Sequence, residues 1–141
     1  MSLDSIISLF LGIPIGLVSG LYTGLIVTRY SRFSDLRNEV LRIIRAIEYM
    51  PGTGDLGNVN VSHTEGLRTF NNIAGDLYFL KHEDAGDCVL NLLNNINSAS
   101  DSVQKGRIDN VEFGRQHALW QKSARELTPS KKVLWALWGN I

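Results

Sequence analysis

The chain has 141 residues, fourteen basic against fourteen acidic side chains, and one cysteine. A net charge of zero argues against a nucleic-acid binder that works through bulk positive potential. The lone Cys88 excludes an intramolecular disulfide and a multi-cysteine metal site, in keeping with a reducing cytosol.

Between Asp4 and Arg29 no residue is charged, and the run SIISLFLGIPIGLVSGLYTGLIVT is apolar or small almost throughout. As a helix it measures roughly 36 Å, against a hydrocarbon core of about 30 Å. Residues 1–29 therefore read as a transmembrane segment with its span at about 6–27. A cleaved signal peptide would need a basic start, and MSLD supplies none. Arg29, Arg32, Arg37, Arg42 and Arg45 all follow the run and nothing basic precedes it. Positive-inside bias then sets the N-terminus outside and the remainder in the cytoplasm, as a single-pass protein of the inner (plasma) membrane with the bilayer as first partner. The same arginines are expected to face the anionic leaflet.

Gly12, Gly16, Gly20 and Gly24 recur every fourth residue within the span, flanked by Ser19 and Thr23. Lipid offers little hydrophobic drive between helices, so a row of small residues that lets backbones approach is a main route to association. One span per chain makes the partner another chain, and a second copy of this one is the preferred expectation. Pro14 could add a kink.

Past the span, residues 30–50 read as a stalk helix with Leu36, Val40, Ile43, Ile44 and Ile47 on one stripe, ending at Pro51-Gly52. Residues 51–61 read as a loop. Gly52, Gly54 and Gly57 match GxGxxG to the letter, but a helix precedes them and Asp55 would repel phosphate, so a turn is the better reading. Ser62 with Glu65 makes a capping box for a helix carrying Leu67, Phe70, Ile73, Leu77 and Leu80. Asp84 or Asp87 then opens a helix with Val89, Leu92, Leu93, Ile96, Ala99 and Val103 inward, stopping at Lys105-Gly106. Its outer face, Asn91, Asn94, Asn95, Asn97 and Ser98, is polar and uncharged. Asp109 with Glu112 opens the next helix, whose stripe is Phe113, His117, Trp120, Ala124 and Leu127. Thr128-Pro129 closes it and begins a last helix, KKVLWALWGNI, apolar nearly all round.

The fold expected is all-α: one transmembrane helix continuing into a stalk, then an antiparallel cytosolic bundle of four to five helices over the remainder, 62–141 included. His63, His82 and His117 show no metal-ligand spacing, and His117 reads as a satisfied core or interface histidine. The arginine–histidine pair of small helical ribonucleases has no counterpart, since Arg115 lies two residues before His117 and Arg107 ten. Cys88, beside Asp84 and Asp87, reads as a buried spectator. No enzyme, cofactor or metal is expected, and nucleic acid is not an expected partner.

His117, Trp120, Trp135 and Trp138 are the candidates for a partner or interface surface. Packing within the bundle or between subunits is preferred for the two C-terminal tryptophans over rest at the membrane interface behind Lys131 and Lys132. The functional expectation is a homo-oligomeric membrane effector that assembles through the glycine row and forms or gates a pore under control of its cytosolic domain, as in bacterial defence against phage. That domain would sense a soluble protein or small ligand. The alternative is a membrane-tethered adaptor that recruits a soluble partner.

Overall fold

The N-terminal part is one helix, α1 (Leu3–Arg45), 43 residues long, which runs through Pro14 and the glycine row without a break. The computed structural model describes residues 3–50, 58–61 and 64–136. After α1 come β1 (Ile47–Met50), β2 (Asn58–Val61), α2 (Thr64–Phe79), α3 (Glu83–Gln104), α4 (Asn110–Arg125) and the single turn α5 (Lys131–Trp135). The chain is thus predominantly helical, as expected, with one two-stranded hairpin that was not.

The C-terminal half of α1 is the central post of the bundle. Phe33, Val40 and Ile44 are essentially inaccessible and pack in one core with Phe70, Ile73 and Leu77 of α2. The stripe of α3 from Val89 to Val103 faces the same core in full, while Asn91, Asn94, Asn95, Asn97 and Ser98 stay exposed. Phe113, Trp120 and Ala124 of α4 complete it, and Leu127 follows from the segment after α4. α2 and α3 lie against each other as a helical hairpin, and α4 packs on both α1 and α3.

The stalk helix differs from expectation at its end: α1 stops at Arg45, and residues 47–50 are a strand. Ile47 pairs with Val61 and Tyr49 with Val59, antiparallel, so part of the expected 51–61 loop is strand as well. The physical reason is that Ile43, Ile44 and Ile47 satisfy a helical stripe, while Ile47 and Tyr49 also satisfy alternation. β-branched and aromatic residues prefer a pleated, half-buried surface. Ile47 is buried, and the Tyr49 ring lies 5.6 Å from that of Phe113.

The helix ends show which local signals decided the chain's course. Asp109 accepts a hydrogen bond from the Glu112 N–H at 2.8 Å, the expected N-cap of α4. α3 stops at Lys105 with Gly106 at φ 64°, and the N–H groups of Gly106 and Arg107 reach back to Val103 and Ser102, the double bond of a glycine-terminated helix. α2 ends by the same pattern, yet Lys81 occupies the left-handed position, at φ 62°. α3 is not opened by an Asp: its first residue is Glu83 and its cap is His82, which gives no side-chain cap bond. Nor does Pro129 begin a helix, since Ser130 caps α5 and Lys131 is its first residue. Ser62, on which the expected capping box rests, lies outside the described residues.

Candidate functional site

Along residues 13–27 of α1 most apolar side chains are left uncovered, Ile26 being half-buried. Ile13, Ile15, Leu17, Val18, Leu21 and Val27 are all more than 60% exposed. The serine and threonine hydroxyls here are turned onto their own helix. Ser19 Oγ donates to the Gly16 carbonyl, Thr23 Oγ1 to Ser19 and Thr28 Oγ1 to Gly24, at 2.8–3.1 Å. A Cβ placed on Gly16, Gly20 or Gly24 would meet nothing within 4 Å, so the row is an open groove along the helix. The surroundings of Gly12 lie outside what is described. Among the described residues, no helix is long and apolar enough to cross a membrane.

The five arginines do not share one environment. Arg29 is half-buried because its Nη1 donates to the carbonyls of Val133, at 2.8 Å, and Ala136, at 2.7 Å. Tyr22 Oη donates to the Trp135 carbonyl at 3.2 Å. These bonds lay α5 along α1 at the end of the uncharged run. Arg32 is exposed just beyond, and Arg37 is half-buried with no hydrogen-bond partner on Nε among the described residues. Arg42 pairs with Glu39, whose carboxyl it holds below the usual range chiefly through the hydrogen bond. Arg42 and Arg45 sit in the last turn of α1, roughly 20–24 Å along the axis from Arg29. A single belt of five arginines at one level is therefore not what forms.

A different cluster takes its place. A groove of about 480 Å³ opens between α1, the α2–α3 junction and α5, with Leu25, Phe79 and Val133 among its apolar lining. Arg29, Arg32, Lys81 and Lys132 also line it, and among the described residues no acidic side chain does. Phe79 and Trp135, both strongly exposed, stand close by. The neighbouring groove on the far side of Arg32 is acidic instead, lined by Asp35, Glu39 and Asp76.

His82 closes the cationic groove from the protein side, and sequence reasoning missed it. Its ring is 2% exposed, meets the Phe33 ring edge-on at 4.9 Å, and accepts the Ser130 N–H on Nδ1 at 3.1 Å. Its backbone accepts the first N–H groups of α3 and donates to Leu77, so one residue joins four segments. Burial pushes its pKa below the ordinary 6.5.

His117 is a structural residue. Its Nε2 donates to the Ile44 carbonyl at 2.8 Å, satisfying the end of α1, and its ring faces those of Phe113 and Trp120. Trp120 is buried and offers no surface to a partner. Trp135, in contrast, is 63% exposed and α5 buries no residue fully, so burial of this tryptophan within the bundle does not occur. Trp138 and His63 lie outside the described residues. Cys88 is half-buried in α3 and burial raises its thiol pKa, the reverse of a reactive cysteine. Among the described residues no group of three or more His, Cys, Asp or Glu could hold a metal ion. No family model, no curated protein and no solved structure matches the chain.

Proposed function

We propose that this chain is a single-pass membrane protein that assembles with copies of itself through the glycine row, holding its helical domain at the cytoplasmic face of the inner (plasma) membrane. The observation that carries the reading is the uncovered apolar surface that Ile13, Ile15, Leu17, Val18, Leu21 and Val27 present along α1. In water such a surface is unfavourable at about 25 cal/mol per Å². In lipid it carries no such cost, and lipid demands what Ser19, Thr23 and Thr28 do, which is to satisfy hydroxyls within the helix. The span reading rests on the uncharged sequence continuing ahead of Ile13 to Ser5, within a helix that begins at Leu3.

Self-association is supported by the open row at Gly16, Gly20 and Gly24, which nothing among the described residues fills. Small residues four apart allow two helices to cross closely, at about −40° in the right-handed class. The row is a packing surface, and a scaffold that gathers helical domains needs no more than this. A pore, as in a defence effector, needs in addition a face that carries water.

The test is the mass of the detergent-purified full chain, wild type against Gly16→Ile with Gly20→Ile, after carbonate extraction of membranes. Wild type is expected to resist extraction and run as an oligomer that the double substitution dissociates. Release by carbonate refutes the span, and equal monomeric masses refute assembly through the row. Dye leakage from liposomes holding the oligomer separates pore from scaffold.

A further inference from the structure

We propose that the cationic groove between α1, the α2–α3 junction and α5 binds an anionic phospholipid, with an acyl chain on Leu25 and Val133 and the headgroup phosphate between Arg32, Lys81 and Lys132. The inference rests on the membrane reading above and goes beyond it by naming a lipid and its contacts.

Charge complementarity selects the occupant. Among the described residues four cations and no carboxylate line the groove, and Asp35, Glu39 and Asp76 line the next one, which shares Arg32 and lies further along α1 from the uncharged run. Arg29 is already engaged by the carbonyls of Val133 and Ala136. Arg32, Lys81 and Lys132 are exposed and form no ion pair among the described residues. Lys81 is moreover held in a left-handed conformation that its residue type disfavours, which fixes where its side chain starts.

Position selects a lipid over a soluble phosphate ester. The apolar lining runs along α1 from Leu25, inside the uncharged run, to Arg32, beyond it, an axial distance of roughly 10 Å. That is the depth over which a phospholipid passes from acyl chain to phosphate. Phe79 and Trp135 are exposed aromatic side chains of the kind that settle at a membrane interface. A volume of about 480 Å³ falls within the ordinary range for a ligand pocket.

The experiment is native mass spectrometry of the detergent-purified full chain incubated with phosphatidylglycerol, phosphatidylcholine, or glycerol phosphate alone. The wild type is compared with the triple variant Arg32→Gln, Lys81→Gln, Lys132→Gln. Each surface cation near a bilayer contributes about a fivefold preference for anionic lipid, so the triple variant is expected to lose roughly a hundredfold. Wild type should retain phosphatidylglycerol over phosphatidylcholine, and the variant should hold both alike with unchanged circular dichroism. Equal retention by wild type, or an undiminished preference in a folded variant, overturns the proposal. So does retention of glycerol phosphate as strong as that of the lipid. If the variant unfolds, Lys132→Glu alone is read in the same way. Carbonate resistance is measured in parallel: a resistant protein without lipid preference refutes only this site, and an extractable one refutes the span itself.

Discussion

Replacing His82 by Leu tests whether a neutral histidine holds the junction of α1, α2, α3 and the segment before α5. Leucine fills nearly the same space but accepts no hydrogen bond, so the Ser130 N–H loses the partner it has at 3.1 Å, and the edge contact with Phe33 at 4.9 Å goes with it. An unpaired buried N–H costs about 1–3 kcal/mol and a lost aromatic contact about 0.5–1.5, offset in part by the more apolar side chain. A net loss of about 2 kcal/mol lowers the midpoint of a domain near 100 residues by roughly 8–16 °C. Thermal melting of the full chain in mild detergent, followed by circular dichroism at pH 7.5, reads this directly. The pH dependence supplies a second, independent sign. Burial lowers the pKa of His82 in the folded state, so below about 6.5 the unfolded chain takes up a proton that the folded chain refuses. Wild-type stability is therefore full above 6.5 and declines as the pH falls beneath it. Glu39 and Glu112, whose pKa values are lowered from 4.5, lose their contribution only below that value and do not interfere above pH 5. The gap between wild type and His82→Leu should narrow from pH 7.5 to 5.5. Melting within about 2 °C of wild type, or parallel curves across that window, would refute the role assigned to His82.

Asp109→Ala removes the N-cap of α4 and should cost about 1 kcal/mol, whereas Asp109→Asn keeps most of it; melting temperatures of the two variants check this. Gly114→Ala, in the interior of α4 with nothing within 4 Å of the new Cβ, should stabilise by roughly 0.5–1 kcal/mol. Gly86→Ala should instead destabilise, because its Cβ would stand 3.0 Å from the Tyr78 ring, whose hydroxyl donates to Asp87; opposite shifts in melting temperature are the expected outcome. Arg29→Ala should free α5, since five residues do not hold a helix alone and this side chain supplies two of its tertiary bonds. Trypsin cleavage after Lys131 and Lys132 should then quicken, and an unchanged rate would count against the docking.

Periodicity over a long element carries its burial, which is why the stripes of α3 and α4 were legible residue by residue: tertiary packing had only to agree with a pattern already complete. The hairpin was not, because Ile47 continues the helical stripe of Ile43 and Ile44 as well as alternating with Tyr49, and NVNV is too short to outvote a neighbouring helix. His82 was hidden for a different reason. It sits in the polar sequence KHEDAGD, and its burial is made by Phe33 and Ser130, each nearly fifty residues away. Docking of α5 depends on partners more than a hundred residues apart, Arg29 and the carbonyls of Val133 and Ala136. The arginines illustrate the same limit. Their count gives only an expected orientation, whereas the packing of α1 into the bundle shows that Lys81 and Lys132 stand beside Arg29 and Arg32.

The continuity of α1 constrains how assembly of the proposed spans would act on the domain. α1 runs from Leu3 to Arg45 without interruption, and its later turns place Phe33, Val40 and Ile44 at the centre of the core. The helix that carries the glycine row is thus also the post on which the domain is built, with no linker between them. Two spans crossing through Gly16, Gly20 and Gly24 would fix the direction in which each domain leaves the membrane. The relative placement of two domains would then follow from the crossing angle of their spans. A change in the domain that rotated α1 would have to repack Phe33 against His82 and break the Arg29 bonds to α5. His82 and Arg29 both line the cationic groove, so a lipid seated there would oppose such a rotation.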